Sequence, residues 1–319
     1  MNTTIISELS KLASKEQHSN NFKYRAYKNA IKSLSQFPTP ITNSSQVANL
    51  KGIGKGILQK IDEILEYGQL QNQPTLPQNQ EILQILTNIY GIGYKKAITL
   101  INDHKITNLQ TLKDKQEELL NEKQKIGLKY YYPLLQRIPK QEMDLHKKYI
   151  TNIWENDLSD IPQEFTFEIV GSYRRNASDS GDIDILVTFD PKNNLLPKLI
   201  KELKKANYII ETLAEGNKKF MGICRLPTLT PRRIDIMAFS PKEYPFGLLY
   251  FTGSDKYNRN MREHANRLGY KLNEKCIIPV INKTEKIPEF TSEEEIVAFL
   301  KLPYIHPHNR EGSLTLQKN

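Results

Sequence analysis

The chain has 319 residues and carries 45 lysine and arginine residues against 36 aspartate and glutamate residues, a formal net charge of +9. This length suffices for about two domains with their own cores, and the basic balance favours a polyanionic partner, either nucleic acid or an anionic membrane. Two cysteines, Cys224 and Cys276, argue against a disulfide framework and fit a reducing compartment. No apolar run reaches the length of a membrane span, and the N-terminus lacks a signal-peptide pattern, so we expect an intracellular protein.

The chain consists of a helical part followed by a mixed part. Residues 1–70 and 81–140 have helical patterns, and the Gln- and Pro-rich stretch 71–80 predicts a linker between them. From about residue 165, short apolar runs typical of strands appear. The predicted elements of this part are strands at 165–170, 183–189, 208–211 and 233–239, an amphipathic helix at 195–206, and a Glu-rich helix at 292–300. Two all-helical modules should therefore precede an α+β module and a smaller mixed module.

A Gly-x-Gly pattern occurs twice in the helical part, in Leu50-Lys51-Gly52-Ile53-Gly54 and in Ile89-Tyr90-Gly91-Ile92-Gly93. Glycines permit a tight hairpin, and the helix predicted after each one, at 57–66 and 95–102, presents free N–H groups that suit a backbone phosphate. One copy is equally well explained by an ordinary turn between helices. Two copies in a basic chain favour helix-hairpin-helix motifs that bind DNA without sequence specificity.

Residues 171–184, which read GSYRRNASDSGDID, join a small-residue loop to two carboxylates. Side chains at i and i+2 of a strand leave the same face, so Asp182 and Asp184 should point the same way. Close carboxylates repel unless a proton or a cation separates them, and hard divalent ions prefer oxygen ligands. Asp235 offers a third carboxylate. The alternative is a turn followed by a strand with surface aspartates, but the adjoining loop favours two-metal phosphoryl or nucleotidyl transfer.

Four stretches of the chain resemble the family X DNA polymerases, the family of polymerases beta and lambda. They are Gly171–Asp184, Arg232–Asp235, the segment YFTGSDKYNRNMR at 250–262, and Ile126–Tyr130 together with Arg137–Pro139. Their order and spacing match the family over nearly the whole chain, from about Phe22 onwards.

The resemblance implies an α+β fold in which an N-terminal all-helical lyase-like domain precedes a polymerase-beta-like nucleotidyltransferase core. The implied domains are a helical lyase-like domain with the first hairpin at 1–77, a helical DNA-binding subdomain with the second hairpin at 78–142, a mixed-sheet catalytic palm at 143–241, and a small α+β nucleotide-selection subdomain at 242–319. A DNA-binding scaffold that keeps this fold without chemistry is an alternative, and the three aspartates with their loop argue against it.

The resemblance also implies a role for each matching residue. Asp182, Asp184 and Asp235 would bind two Mg²⁺ ions, with Mn²⁺ as an alternative, and Asp235 would help to activate the primer 3′-hydroxyl. The dNTP triphosphate would contact Ser172, Arg175, Ser180 and Gly181. The nucleotide-selection surface would comprise Tyr250, Phe251, Gly253, Asp255, Asn258 and Arg262. Asp255, Asn258 and Arg262 are spaced to share one helix face, which without the adjoining segment would be explained as a solvated polar face.

The first module resembles a 5′-deoxyribose phosphate lyase domain. Lys60 matches the Schiff-base lysine of that domain, and Lys23 and Tyr27 match supporting positions; a lysine nucleophile must be partly neutral, which nearby cations favour. The module departs from polymerase beta at Gly56 and Gln59, which replace a lysine and a glutamate, and at Phe22 and Ala48. Lys60 is otherwise explained as an exposed helix lysine, and a decayed lyase remains an alternative.

Three further positions bear on the polymerase half. Arg233 is either an orienting partner of Asp235 or an ordinary strand-edge cation. Met237 stands where polymerase beta has an arginine that engages an active-site aspartate, so gating should differ. The connection at 227–231 is short, which argues against template-independent synthesis, and Cys224 should pack in a strand core.

The sequence therefore predicts a template-directed DNA polymerase that fills short gaps in base excision repair, with an attached lyase. Its expected partners are gapped or nicked duplex DNA and dNTPs, with no membrane, and the helix-hairpin-helix motifs are candidate sites for a monovalent cation. We expect a monomer in the nucleus or in another DNA-containing compartment, such as a viral factory.

Overall fold

The computed structural model describes residues 2–16, 21–70, 80–157, 166–188, 195–280 and 287–311. Most of the predicted linker, and the outer ends of the strands predicted at 165–170 and 183–189, lie outside these residues. The chain divides into two compact units, Met1–Leu128 and Lys129–Asn319. Within the described residues, no helix is both long enough and apolar enough to cross a membrane.

The first unit is helical. Its helices are α1 (Thr3–Glu16), α2 (Asn21–Ser35), α3 (Lys55–Tyr67), α4 (Gln80–Thr87), α5 (Tyr94–Asn102), α6 (Leu109–Asp114), α7 (Gln116–Leu119) and α8 (Glu122–Lys129), with a 3₁₀ turn at Ser44–Val47. The apolar positions of α1, α2 and α3 recur at helical spacing and form one core that includes Leu9, Leu34 and Ile61. The helical character predicted for this part of the chain is confirmed.

The two Gly-x-Gly segments form matching hairpins. Gly52 and Gly91 adopt φ values of +87° and +83°, a region that side chains with a Cβ atom rarely enter. Gly54 and Gly93 are the N-cap residues of α3 and α5, and neither offers a side chain to cap the helix. The first N–H groups of both helices therefore lack a side-chain acceptor from the cap residue, as the hairpin prediction requires.

The second unit has mixed secondary structure. In chain order its elements are α9 (Tyr131–Leu135), β1 (Ile138–Pro139), α10 (Lys140–Asp157), β2 (Phe167–Ile169), α11 (Gly171–Arg174), β3 (Asp179–Ser180), β4 (Ile183–Thr188), α12 (Leu195–Lys205), β5 (Ile209–Gly216), β6 (Lys219–Cys224), β7 (Arg232–Phe239), α13 (Tyr244–Thr252), α14 (Asp255–Arg267), β8 (Tyr270–Leu272), β9 (Ile277–Pro279), α15 (Glu293–Phe299) and a 3₁₀ turn at Pro307–Asn309. The α+β fold class is thereby confirmed.

A five-stranded sheet in the order β2-β4-β7-β6-β5 organises the second unit. Strands β4 and β7 are parallel, whereas the other neighbouring strands pair antiparallel. Strand β5 runs to Gly216, beyond the predicted end at residue 211, because it pairs with β6. The sequence patterns did not predict β6. Cys224 is fully buried at the end of β6, so the prediction of a strand-core cysteine is confirmed.

The two faces of this sheet have different partners. Ile183, Ile185 and Val187 point into a core that also contains residues of α10 and α12. On the opposite face, Leu186 and Met237 pack with Phe251 of α13 in a smaller cluster. Since strand side chains alternate, Asp184 and Asp235 share the face of Leu186 and Met237. On this face, the two carboxylates therefore lie one side-chain position before the apolar cluster along each strand.

Candidate functional site

The three candidate metal ligands converge at the N-terminal end of β4 and the neighbouring part of β7. Asp184 and Asp235 are directly paired in the parallel register, and Asp182 lies one residue before β4, outside the strand in which it was predicted. One carboxylate oxygen from each of the three residues lies within 4.8 Å of the others. The sheet therefore brings together residues from two separate segments of the sequence.

This cluster is crowded and partly removed from water. Burial, and next the Asp235 carboxylate, raise the pKa of Asp184 to about 6. Burial also raises the pKa of Asp235, against the opposing effect of Arg233. Arg233 contacts Asp182 and lies 3.2 Å from Asp235 (Nη1 to Oδ2). These contacts agree with Arg233 as an orienting partner of the carboxylates, which stays a prediction beside that of an ordinary strand-edge cation.

The donor set fits divalent cations. All three residues supply carboxylate oxygens, which Mg²⁺ and Mn²⁺ prefer. The Oδ1 atom of Asp235 is buried and has no hydrogen-bond partner among the described residues. The raised pKa values of Asp184 and Asp235 mean that their ionised forms are disfavoured, chiefly by burial, and a bound cation would relieve this cost.

The predicted phosphate loop, residues 171–181, lies against these carboxylates. Gly171 has a φ of +64°, and a Cβ atom at this position would lie 2.9 Å from Oδ2 of Asp184. A glycine thus lets the backbone approach the cluster. The Ser172 hydroxyl donates to the Ser180 hydroxyl at 2.9 Å, and Ser180 is 3% exposed. The two predicted phosphate-binding serines therefore meet at one point.

Arg137 joins this loop, although sequence reasoning assigned it no role. Its guanidinium donates to Oδ1 of Asp179 from Nε at 2.8 Å and from Nη2 at 2.5 Å. A Cβ atom at Gly181 would lie 3.0 Å from its Nη1 atom. The available signal was the Arg137–Pro139 match to the family, which was noted as a motif without a function.

Arg175 connects the phosphate loop to the predicted nucleotide-selection segment. Its Nη1 atom donates to the Thr252 carbonyl at 2.7 Å, and its Nε atom donates to Glu311 at 2.9 Å. Gly253 follows Thr252 with a φ of +69°. The arginine predicted to bind triphosphate therefore lies at the turn between α13 and α14.

Residues of that segment also contact one another. The Asn258 side chain donates to the Tyr250 carbonyl at 2.6 Å, and the Arg262 guanidinium lies 5.6 Å from the centre of the Tyr250 ring. The Tyr250 and Phe251 rings meet edge to face at 5.0 Å. Asp255, at the start of α14, is exposed and pairs with Arg259 at 3.4 Å. Of the helix face predicted for Asp255, Asn258 and Arg262, the last two side chains meet Tyr250, whereas Asp255 pairs with Arg259.

The first unit has its own candidate site, a cavity of about 640 Å³. It is lined by Lys23, Ala26 and Tyr27 of α2, by Gly52, Ile53 and Gly54 of the first hairpin, and by Gly56, Ile57 and Lys60 of α3. Lys23 and Tyr27 are one helical turn apart, as are Gly56 and Lys60, so one face of each helix borders the cavity. The structure therefore brings Lys60, Lys23 and Tyr27 together.

The surroundings of this cavity differ from those of the carboxylate cluster. Lys60 is half-buried and Lys23 is exposed, with its Nζ atom 3.6 Å from Glu16. Burial, and then Glu16, raise the pKa of Tyr27 above its usual value. Gln59 is exposed next to Lys60, and Phe22 beside Lys23 is 84% exposed. These two departures from the family pattern lie next to cavity residues, and a third, Gly56, lines the cavity.

Four families match the chain in succession. Residues 1–70 match a helix-hairpin-helix domain, and residues 84–135 match the fingers domain of DNA polymerase lambda. Residues 137–241 match the DNA polymerase beta palm, which contains the carboxylate cluster, and residues 247–311 match the DNA polymerase beta thumb.

Two relatives match over most of the chain. DNA polymerase lambda of Arabidopsis thaliana is 29% identical over 310 residues, covering 89% of this chain and 57% of the relative. DNA polymerase lambda of Rattus norvegicus is 27% identical over 310 residues, covering 91% of this chain and 53% of the relative. The chain thus spans little more than half the length of these relatives. With its successive helix-hairpin-helix, fingers, palm and thumb matches, the chain belongs to the family X DNA polymerases.

Proposed function

We propose that this chain is a template-directed DNA polymerase that adds dNTPs to a primer 3′-hydroxyl and fills short gaps during base excision repair. The observation that carries this proposal is the convergence of Asp182, Asp184 and Asp235 within 4.8 Å, beside a loop whose serines and arginines suit a triphosphate. The names of its polymerase lambda relatives agree with it.

The carboxylates would hold two divalent ions. When bound, such ions lower the pKa of the primer hydroxyl and neutralise the leaving pyrophosphate. Asp182 and Asp184 would bind both ions, and Asp235 would bind the one nearer the primer. Arg233, which contacts Asp182 and Asp235, would hold their carboxylates in orientation.

The phosphate loop would bind the triphosphate. The Ser172 and Ser180 hydroxyls lie together, and each can donate to a phosphate oxygen. Arg175 and Arg137 each carry a planar fork of N–H donors that matches phosphate oxygens. We include Arg137 because its guanidinium lies beside Gly181, a predicted triphosphate contact.

The surface at α14 would read the incoming nucleotide. Tyr250 and Phe251 would flank the sugar, and Asn258 and Arg262 would face the base pair. The contacts of Asn258 and Arg262 with Tyr250 support this assignment because they hold three of these side chains in one place. Asp255 and Gly253 would complete the surface.

We also propose a 5′-deoxyribose phosphate lyase in the first unit. The Lys60 amine would add to the C1′ aldehyde with loss of water and form a Schiff base. Loss of a C2′ proton would then break the C3′–O bond and release the 5′-phosphate end of the DNA, and hydrolysis of the Schiff base would free Lys60 and the unsaturated sugar phosphate. The cavity that holds Lys60, Lys23 and Tyr27 supports this assignment. A polymerase with a decayed lyase is the second candidate, favoured by Gly56 and Gln59.

Purified protein incubated with a one-nucleotide gap, Mg²⁺ and dNTPs tests the main proposal. We expect one templated nucleotide to be added. No incorporation with Mg²⁺ or with Mn²⁺ would favour a DNA-binding scaffold instead. Repeating the assay with a 5′-deoxyribose phosphate end separates an active lyase from a decayed one.

A further inference from the structure

The second unit contains a buried polar cluster that the proposed chemistry does not use. Its members are Glu142 and His146 of α10, Tyr208 before β5, and Arg232 at the start of β7. Arg232 is 5% exposed, His146 is fully buried and Tyr208 is 1% exposed. Charged side chains are seldom buried unless they are paired, because removing a charge from water is costly.

Arg232 joins three segments of the chain through one guanidinium. Its Nε atom donates to Oε1 of Glu142 at 2.7 Å, and its Nη2 atom donates to Oε2 at 2.8 Å. Its Nη1 atom donates to the Gln136 carbonyl at 3.0 Å. The fork therefore ties the start of β7 both to α10 and to the residue before Arg137.

The two segments held by Arg232 lead to the two halves of the candidate site. Strand β7 continues from Arg232 to Arg233 and Asp235, in the carboxylate cluster. On the other side, Gln136 is followed by Arg137, which pairs with Asp179 and lies beside Gly181 in the phosphate loop. A displacement of the Arg232 guanidinium would therefore move both the carboxylate cluster and the phosphate loop.

Helix α10 holds the phosphate loop independently of Arg232. The Lys140 backbone N–H donates to the Ser178 carbonyl at 3.0 Å, and its Nζ atom donates to Asn176 at 2.5 Å. The Tyr173 hydroxyl donates to Asp144 at 2.8 Å. The same helix therefore contacts the loop at residues 140 and 144, and the carboxylate strand through Glu142.

We propose that Glu142 and Arg232 are positioning residues that fix the spacing between the phosphate loop and the carboxylate cluster. Their bidentate pair sets where β7 lies on α10, and the bond to Gln136 sets where Arg137 lies over the loop. The inference rests on the proposed polymerase function, since it concerns how a bound triphosphate meets the metal ligands.

The test is single-turnover incorporation into a one-nucleotide gap by the double variant Glu142→Met with Arg232→Met. Apolar side chains of similar length commonly replace a buried ion pair without loss of stability. We expect an unfolding temperature close to that of the wild type and an affinity for gapped DNA within about twofold. The rate at saturating dNTP should fall at least about tenfold, because small displacements of reacting groups are costly.

A second variant, Arg232→Lys, keeps the charge but not the planar fork. It should also slow incorporation by more than about threefold. Its effect should be less than additive with that of Arg137→Ala, because residues that act through one another are coupled. A merely structural role would not produce this coupling. Glu215→Gln is the matched control, since it removes the exposed Lys204–Glu215 pair of 2.7 Å from the same unit, and its rate should equal that of the wild type.

The outcomes are distinguishable. A wild-type rate in the folded double variant would overturn the inference. If the double variant does not fold, Arg232→Lys decides, and a wild-type rate there would overturn it too. Absence of incorporation by the wild-type protein would instead count against the proposed function.

Discussion

The carboxylate cluster and the lysine cavity hold their functional groups in opposite ways. In the cluster, Asp184 and Asp235 are short side chains on directly paired strands, and the backbone hydrogen bonds of the sheet fix where they lie. In the cavity, Lys23 and Lys60 are long side chains on helices α2 and α3, and Lys23 is exposed. Four rotatable bonds separate each lysine nitrogen from its backbone.

This difference indicates how much substitution each site tolerates. Metal chemistry needs several oxygens in fixed positions, so each aspartate should be indispensable. A lysine nucleophile needs one amine and a suitable charge environment, so neighbouring positions can vary. The departures at Gly56 and Gln59 fall in the tolerant site, whereas all three aspartates of the family pattern are present in the intolerant one.

The largest expected effect is that of Asp235→Ala on nucleotide addition. If Asp235 is the proposed metal ligand nearer the primer hydroxyl, its loss should lower the rate by about 10³-fold or more. Single-nucleotide gap filling measures the rate, and a fluorescence anisotropy titration with gapped DNA should show nearly unchanged affinity. Incorporation within about tenfold of the wild type would contradict the ligand assignment.

Borohydride trapping with an abasic 5′ end tests the proposed lyase site in the lysine cavity. Lys60→Ala should reduce the covalent adduct by about 100-fold, because it removes the amine proposed to form the Schiff base. Lys55→Ala, which removes a lysine from the first turn of α3, is the matched control and should trap normally. Undiminished trapping in Lys60→Ala would move the nucleophile to Lys23 or Lys55.

Acid should lower the stability of the second unit through His146, which is buried in that unit. Burial lowers the pKa of His146 from 6.5 to about 4, and its Nδ1 atom lies 2.7 Å from the Tyr208 hydroxyl. Between these two pKa values the unfolded chain binds a proton that the folded chain does not. The contribution of His146 to stability is therefore complete above about pH 6.5 and is lost as the pH falls towards 4, by on the order of 3 kcal/mol.

His146→Met should remove most of this loss. Urea unfolding at about pH 7.5 and pH 5 measures it, followed by the fluorescence of Trp154, the single tryptophan, on α10 of the same unit. The raised pKa of Asp184 acts in the opposite direction, since a carboxyl group with a raised pKa stabilises the folded state at low pH. Comparing the variant with the wild type at each pH separates the two. An equal loss in both proteins would assign the acid sensitivity elsewhere.

The smallest expected effect concerns the 5′-phosphate of a gap. If the cavity with Lys23 and Lys60 binds this end, kcat/KM on a phosphorylated one-nucleotide gap should exceed that on the unphosphorylated gap by about three- to tenfold. An open primer-template should be used least well. Lys23→Ala should reduce the preference while leaving open-template synthesis unchanged. Equal values on all three substrates would refute the gap-repair proposal but leave the polymerase proposal intact.

Local patterns predicted much of the fold. The Gly-x-Gly hairpins, helix α12 and strand β7 were predicted within a few residues, because glycine conformation and apolar periodicity are properties of neighbouring residues. The strand predicted at 208–211 was too short and β6 was absent from the predicted elements, since these strands are defined by pairing with each other. The roles of Met237 and of the short 227–231 connection stay predictions, although Met237 is buried in the apolar cluster with Leu186.

The sequence by itself determined which groups are available: two aspartates spaced two apart, a third in a strand-like segment, a glycine and serine loop, and a matching lysine with its tyrosine. Only the tertiary structure decided that Asp184 pairs with Asp235, that Arg233 contacts Asp182 and Asp235, and that Arg137 lies beside Gly181. It alone revealed the buried pair of Glu142 and Arg232. Residue spacing governs contacts within one helix or strand, whereas contacts between distant segments depend on how the sheet is ordered and how helices pack on it.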